Sequence, residues 1–117
     1  MGKKVLIVED EPLIAMELGE RLAEFGYEVL GPALTLEDAD ELIASEMPDA
    51  ALLDANLAGR SSVALGMALH AKGVPFAFCT GYDKVKNLPP QLAKTPTLTK
   101  PISDDDLRLA LAKLVVS

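Results

Sequence analysis

The sequence predicts an α/β domain whose five-stranded parallel sheet is covered by helices on both faces. Three observations carry this expectation. Short apolar runs alternate with longer stretches of helical period, which is the pattern of βαβ units. The apolar runs are continuous rather than alternating, as strands buried on both faces require. The 117 residues suit one domain, read here as spanning 1–117 with no output domain behind it. Two Tyr and three Phe with no Trp mean that the core must be aliphatic.

Val5-Leu6-Ile7-Val8 is the first strand, rich in β-branched residues. Pro12 then opens a helix at a position where its missing N–H costs little. Ile14, Leu18, Leu22 and Phe25 recur at helical spacing as its buried face, and Gly26 stops it. Tyr27 to Leu30 reads as the second strand, closed by Gly31-Pro32. Thr35 with Asp38 forms an acidic capping box for the second helix, which turns Ala39, Leu42 and Ile43 inward and ends before Pro48. Ala51-Leu52-Leu53 is the third strand and delivers Asp54 at its carboxyl end.

Ser62 to Ala71 is an Ala-rich helix stopped by Gly73, and Phe76 to Cys79 is the fourth strand, ending at Thr80-Gly81. Between Asp83 and Thr95, Pro89-Pro90 interrupts any full-length helix, so the fourth helix should be short or irregular. Thr97-Leu98-Thr99 is a short fifth strand before Lys100-Pro101. Ser103 with Asp106 caps a last helix whose apolar face is Leu107, Ala110, Leu111 and Leu114. The expected total is five strands and about five helices.

Charge and composition exclude several classes. Eighteen acids against 11 bases give a net charge of −7, which disfavours binding to nucleic acid or anionic membrane, both polyanions. The single Cys79 allows no internal disulfide and reads as a small core residue; His70 is assigned no role. Met1-Gly2-Lys3-Lys4 leads into only a short apolar run before Glu9-Asp10-Glu11, so no signal peptide is read, and no run is long enough to span a bilayer. A cytoplasmic protein is expected.

In an open parallel sheet the ligand site lies at the carboxyl ends of the strands. That rule gathers Glu9, Asp10, Asp54, Thr80 and Lys100 onto one edge. Three carboxylates converging there repel one another and call for protons or a cation, and a hard divalent ion such as magnesium answers that need. Asp10 and Asp54 would supply charge, the backbone carbonyl of Asn56 a further ligand, and Glu9 would act through water. Asp54 is then a nucleophile towards phosphorus, with Lys100 neutralising a phosphoryl oxygen and the Thr80 hydroxyl bonding another. Gly81, lacking a side chain, leaves the approach open. Asn56 stands where an aspartyl-nucleophile hydrolase would carry a second acid, which favours a persistent acyl phosphate over turnover. A flavodoxin-like cofactor module would want a Ser/Thr/Gly-rich first loop, whereas Glu9-Asp10-Glu11 repels phosphate.

Val8-Glu9-Asp10-Glu11-Pro12, Leu52-Leu53-Asp54-Ala55-Asn56-Leu57, Cys79-Thr80-Gly81 and Thr99-Lys100-Pro101 together resemble the motifs of response-regulator receiver domains, in order and across essentially the whole chain. The resemblance implies the flavodoxin-like receiver fold with strand order 2-1-3-4-5, and a cis peptide before Pro101. It implies two-component signalling by Mg-dependent phosphotransfer from a sensor histidine kinase to Asp54, with no enzyme activity beyond self-phosphorylation and self-dephosphorylation. Pro75 to Tyr82 is similar to the fourth-strand signature of the FATGUY subgroup, whose donors are kinases of the HWE or HisKA2 type. Thr97 replaces the switch aromatic that many receivers carry, and Ala58 replaces the proline often found four residues after the acceptor. Tyr82 then becomes a candidate modulator of readout. Output would run through a downstream protein target or a phosphotransfer protein. The chain reads as a stand-alone regulator, a phosphate sink or shuttle, or a receiver cut from a longer protein.

Overall fold

The computed structural model describes residues 2–81, 85 and 87–115. Along them run β1 (Lys4–Val8), α1 (Pro12–Glu24), β2 (Glu28–Ala33), α2 (Leu36–Ser45), β3 (Ala50–Asp54), β4 (Asn56–Leu57), β5 (Arg60–Ser61), α3 (Val63–Ala71), β6 (Phe76–Thr80), a 3-10 turn (Pro90–Leu92), β7 (Thr97–Thr99) and α4 (Asp104–Leu114). The main sheet is parallel throughout, in the order β2-β1-β3-β6-β7. Counting its five strands alone, that is the expected 2-1-3-4-5. β4 and β5 form a separate antiparallel hairpin.

Side chains on β1 alternate between two cores, because successive residues of a strand point to opposite faces. Val5 and Ile7 join Leu18 and Leu22 of α1, and Leu107 and Leu111 of α4. Leu6 and Val8 join Ala39 and Ile43 of α2, and Leu65 and Leu69 of α3. Each fully buried Leu or Ile stabilises the fold by about 1.5–3 kcal/mol relative to exposure. β3 and β6 are buried at every position, which is why their sequences show no polar alternation.

Both capping hydroxyls are in place: Thr35 Oγ1 accepts from the Asp38 N–H at 3.0 Å and Ser103 Oγ from the Asp106 N–H at 3.1 Å. Several expectations need correction. Ile14 is 44% exposed, and Ala15 takes the inward position instead. Four-residue steps drift by about 40° each around a helix, so Ile14 falls off the face centred on Leu18 and Leu22. β2 does not close at Gly31-Pro32 but runs on to Ala33. It is an edge strand, where proline is tolerated, and a register shift against β1 accommodates Gly31 at φ +94°. Among the described residues there are four α-helices rather than about five; the short element in the proline-broken segment is the single 3-10 turn. The peptides before Pro32 and Pro101 are cis.

Candidate functional site

The carboxyl ends of β1, β3, β6 and β7 bring the predicted residues together. β1 stops at Val8, so Glu9 and Asp10 leave the strand at the sheet edge, with the Glu9 N–H held by the Ala33 carbonyl at 3.0 Å. Asp54 is the last residue of β3, paired beside Cys79. Lys100 follows β7, its N–H donating to the Thr80 carbonyl at 2.8 Å. Glu9 and Asp54 are 4% and 8% exposed, so two acids are buried side by side. Lys100 compensates them: its Nζ lies 2.8 Å from Glu9 Oε1 and 3.3 Å from Asp54 Oδ2.

Oxygens of Glu9, Asp10 and Asp54 lie within 4.8 Å of one another, a spacing that suits one cation. The donors are all carboxylate oxygens, as a hard divalent ion prefers. Burial pushes the Asp54 carboxyl up to about 6, opposed by the Asn56 N–H and assisted by the charge of Glu9. Burial works against the Lys100 ammonium, yet its hydrogen bond to Glu9 and the charge of Asp54 together hold its pKa above the ordinary lysine value. Burial also pushes the Cys79 thiol up to about 12, which leaves it protonated and inert beside Asp54.

The remaining predicted residues fall as follows. Thr80 ends β6, buried at this edge. The Asn56 N–H donates to Asp54 Oδ1 at 3.2 Å, while its side-chain Oδ1 accepts from the Gly59 N–H at 2.8 Å. Its side-chain oxygen is therefore committed to the hairpin. Gly81 is exposed, and a Cβ there would meet nothing within 4 Å among the described residues. Pro101 and Lys100 line one wall of a cavity of about 480 Å³ that runs from Asp54 to α1. Thr97 is exposed on β7, and Cys79 is a core residue. Tyr82 lies outside the described residues.

Two features were not anticipated. Ala58 at φ +50° and Gly59 at φ +87° form the tight turn of the β4–β5 hairpin. Proline cannot adopt a positive φ, so the loop after Asp54 is shaped differently from one with proline at this position. The Gly59 following Ala58 was the signal available in the sequence. Arg21 is the second feature: from the last turn of α1 it reaches the segment between Lys100 and α4. A lone arginine on a helix gives no hint of such a long-range contact.

A family model described as the response regulator receiver domain matches residues 5–112. Over 113 residues the chain is 36% identical to the positive alginate biosynthesis regulatory protein of Pseudomonas aeruginosa, covering 93% of this chain and 46% of that protein. The crystal structure of the anti-anti-sigma factor PhyR from Bartonella quintana matches with a TM-score of 0.86 at 28% identity, over 98% of this chain and 48% of that one. The solution structure of SdrG from Sphingomonas melonis Fr1 matches with a TM-score of 0.81 at 36% identity, over 98% of both chains. The chain spans less than half the length of the curated relatives it matches.

Proposed function

The chain belongs to the response regulator receiver domain family, and from that premise we propose that Asp54 accepts a phosphoryl group in a two-component relay. The observation that carries this reading is the Lys100 ammonium bridging buried Glu9 and Asp54 beside Asp10. At neutral pH an Asp54 carboxyl with a pKa of about 6 is mostly ionised and nucleophilic. Its oxygen attacks phosphorus of a phosphohistidine; the P–O bond forms, the P–N bond breaks, and the imidazole leaves with the electron pair and takes up a proton. Lys100 is within reach of Asp54 and neutralises charge on the transferred group, and the Thr80 hydroxyl hydrogen-bonds it.

Glu9, Asp10 and Asp54, with the Asn56 carbonyl, would hold Mg2+. Bound there, the ion would supply positive charge that offsets the acid cluster and an incoming phosphoryl group. Asn56 offers no acid to activate water, and its side chain is engaged with Gly59, which supports a long-lived acyl phosphate.

The donor in this reading is a sensor histidine kinase of the HWE or HisKA2 type. The output is a change in protein–protein contact, as a stand-alone cytoplasmic regulator or a phosphate shuttle. Among the described residues no helix is long and apolar enough to cross a membrane. The resemblance to SdrG over 98% of both chains supports the stand-alone form, and the resemblance to an anti-anti-sigma factor supports a protein target.

Incubation with Mg2+ and acetyl phosphate, followed by intact-protein mass measurement, tests the reading. One added phosphoryl mass is expected in the wild type and none in Asp54→Asn. Lack of that mass in the wild type, or its survival in the variant, sinks the proposal.

A further inference from the structure

The segment that carries Lys100 is seated on packed core only in part: Ile102 packs against the cluster that holds Leu18, Leu98 and Leu107, and the rest faces a cavity. Lys100, Pro101 and Ile102 line one side of the cavity of about 480 Å³, with Leu18 and Arg21 of α1 on the other and Leu52 and Cys79 of the sheet also lining it. A void beneath a segment removes the close contacts that would otherwise set its position. Polar contacts supplement what packing Ile102 retains. Upstream, the Lys100 N–H is held by the Thr80 carbonyl at 2.8 Å. Downstream, Arg21 spans the cavity: Nη2 donates to the Ile102 carbonyl at 2.8 Å, and Nε donates to Asp104 Oδ1 at 2.9 Å. Its Nη1 faces Glu17 at 3.7 Å, which helps hold the side chain along the helix. The Arg21 side chain is only 18% exposed, and its bond to the Ile102 carbonyl is partly buried, whereas Asp104 is exposed at 62%.

We propose that Arg21 is a positioning residue for Lys100, holding the β7–α4 segment over the cavity so that the ammonium stays within reach of Asp54. The inference rests on the phosphoacceptor reading. Arg21 touches neither Asp54 nor Glu9, so its effect must pass through Lys100. A planar guanidinium is needed because its Nε–Nη2 edge meets a carbonyl and a carboxylate at once, a task a lysine ammonium performs poorly.

A double-mutant cycle on the intact chain tests this, with the phosphorylation rate in Mg2+ and acetyl phosphate read by intact mass. Arg21→Met keeps an apolar stem along the cavity. It should lower the rate about tenfold in the wild-type background and less than about twofold once Lys100→Met has removed the residue being positioned. Equal losses in both backgrounds, or no loss in either, overturn the proposal. Arg21→Lys should recover less than half of the lost rate; full recovery would reduce the role to bare charge and overturn it too.

A second readout needs no phosphodonor. The Lys100 side-chain ammonium should give a protected 1H–15N resonance in the wild type that weakens in Arg21→Met and in Arg21→Lys. An unchanged resonance in both defeats the positioning claim. A wild type that takes up no phosphoryl group would instead remove the phosphoacceptor reading, and the resonance would still decide the role of Arg21.

Discussion

Two groups of three acids occupy opposite settings in this molecule. Asp104, Asp105 and Asp106 open α4, exposed, where the Ser103 cap and the positive end of the helix favour them. Glu9, Asp10 and Asp54 crowd the strand ends, two of them buried, with Lys100 as the cation bridging Glu9 and Asp54. The surface acids help the fold. The strand-end acids work against it, because burial without enough positive charge penalises ionisation. A domain that keeps such a cluster holds a built-in demand for a cation or a proton.

The largest effect should come from removing the buried charge. The Asp54 carboxyl rises from 3.8 to about 6 on folding, so between those values the folded chain binds more protons than the unfolded one. Stability therefore falls as pH rises through roughly 4 to 6, and the deficit persists above that window. Asp54→Asn should raise stability at pH 7.5 by on the order of 1–3 kcal/mol and leave it unchanged near pH 3.5. Urea unfolding at the two pH values measures this, and a gain of equal size at both would break the contrast between the clusters.

Magnesium should do by binding what the substitution does by deletion. At tenfold excess over its dissociation constant, Mg2+ should stabilise the wild type by about 1.4 kcal/mol and Asp54→Asn by much less. A calcium-free thermal titration reads the difference; equal shifts would place the ion elsewhere.

At the other cluster the effects should be smaller and of opposite sign. Ser103→Ala removes the acceptor for the Asp106 N–H and should destabilise by about 1 kcal/mol in chemical denaturation. Asp105→Asn, which weakens only the helix-dipole interaction, should cost about 0.3–0.5 kcal/mol at low ionic strength and less in high salt. A stabilising Asp105→Asn would mean that the α4 acids repel one another more than the helix attracts them.

The strands were legible because burial on both faces leaves an uninterrupted apolar signature, as at Leu52-Leu53 and Phe76-Ala77-Phe78. The capping residues were legible because Thr35 and Ser103 act within their own turn. Ile14 misled because an apolar residue at four-residue spacing can still drift off the buried face. The β4–β5 hairpin was hidden because Ala58 in a left-handed conformation runs against its own preference. Arg21 was hidden because its partners, Ile102 and Asp104, are distant in the chain.

Residue order alone determined the parallel sheet and the gathering of Glu9, Asp10, Asp54, Thr80 and Lys100, since strand ends in such a sheet share one edge by construction. Only the tertiary structure decided how that edge is balanced. Depth of burial set the Asp54 carboxyl near 6, Lys100 came to rest between two acids, and Arg21 reached across a cavity to the segment that carries it. Burial, void space and long-range hydrogen bonds depend on what the rest of the chain packs against, and no local pattern encodes them.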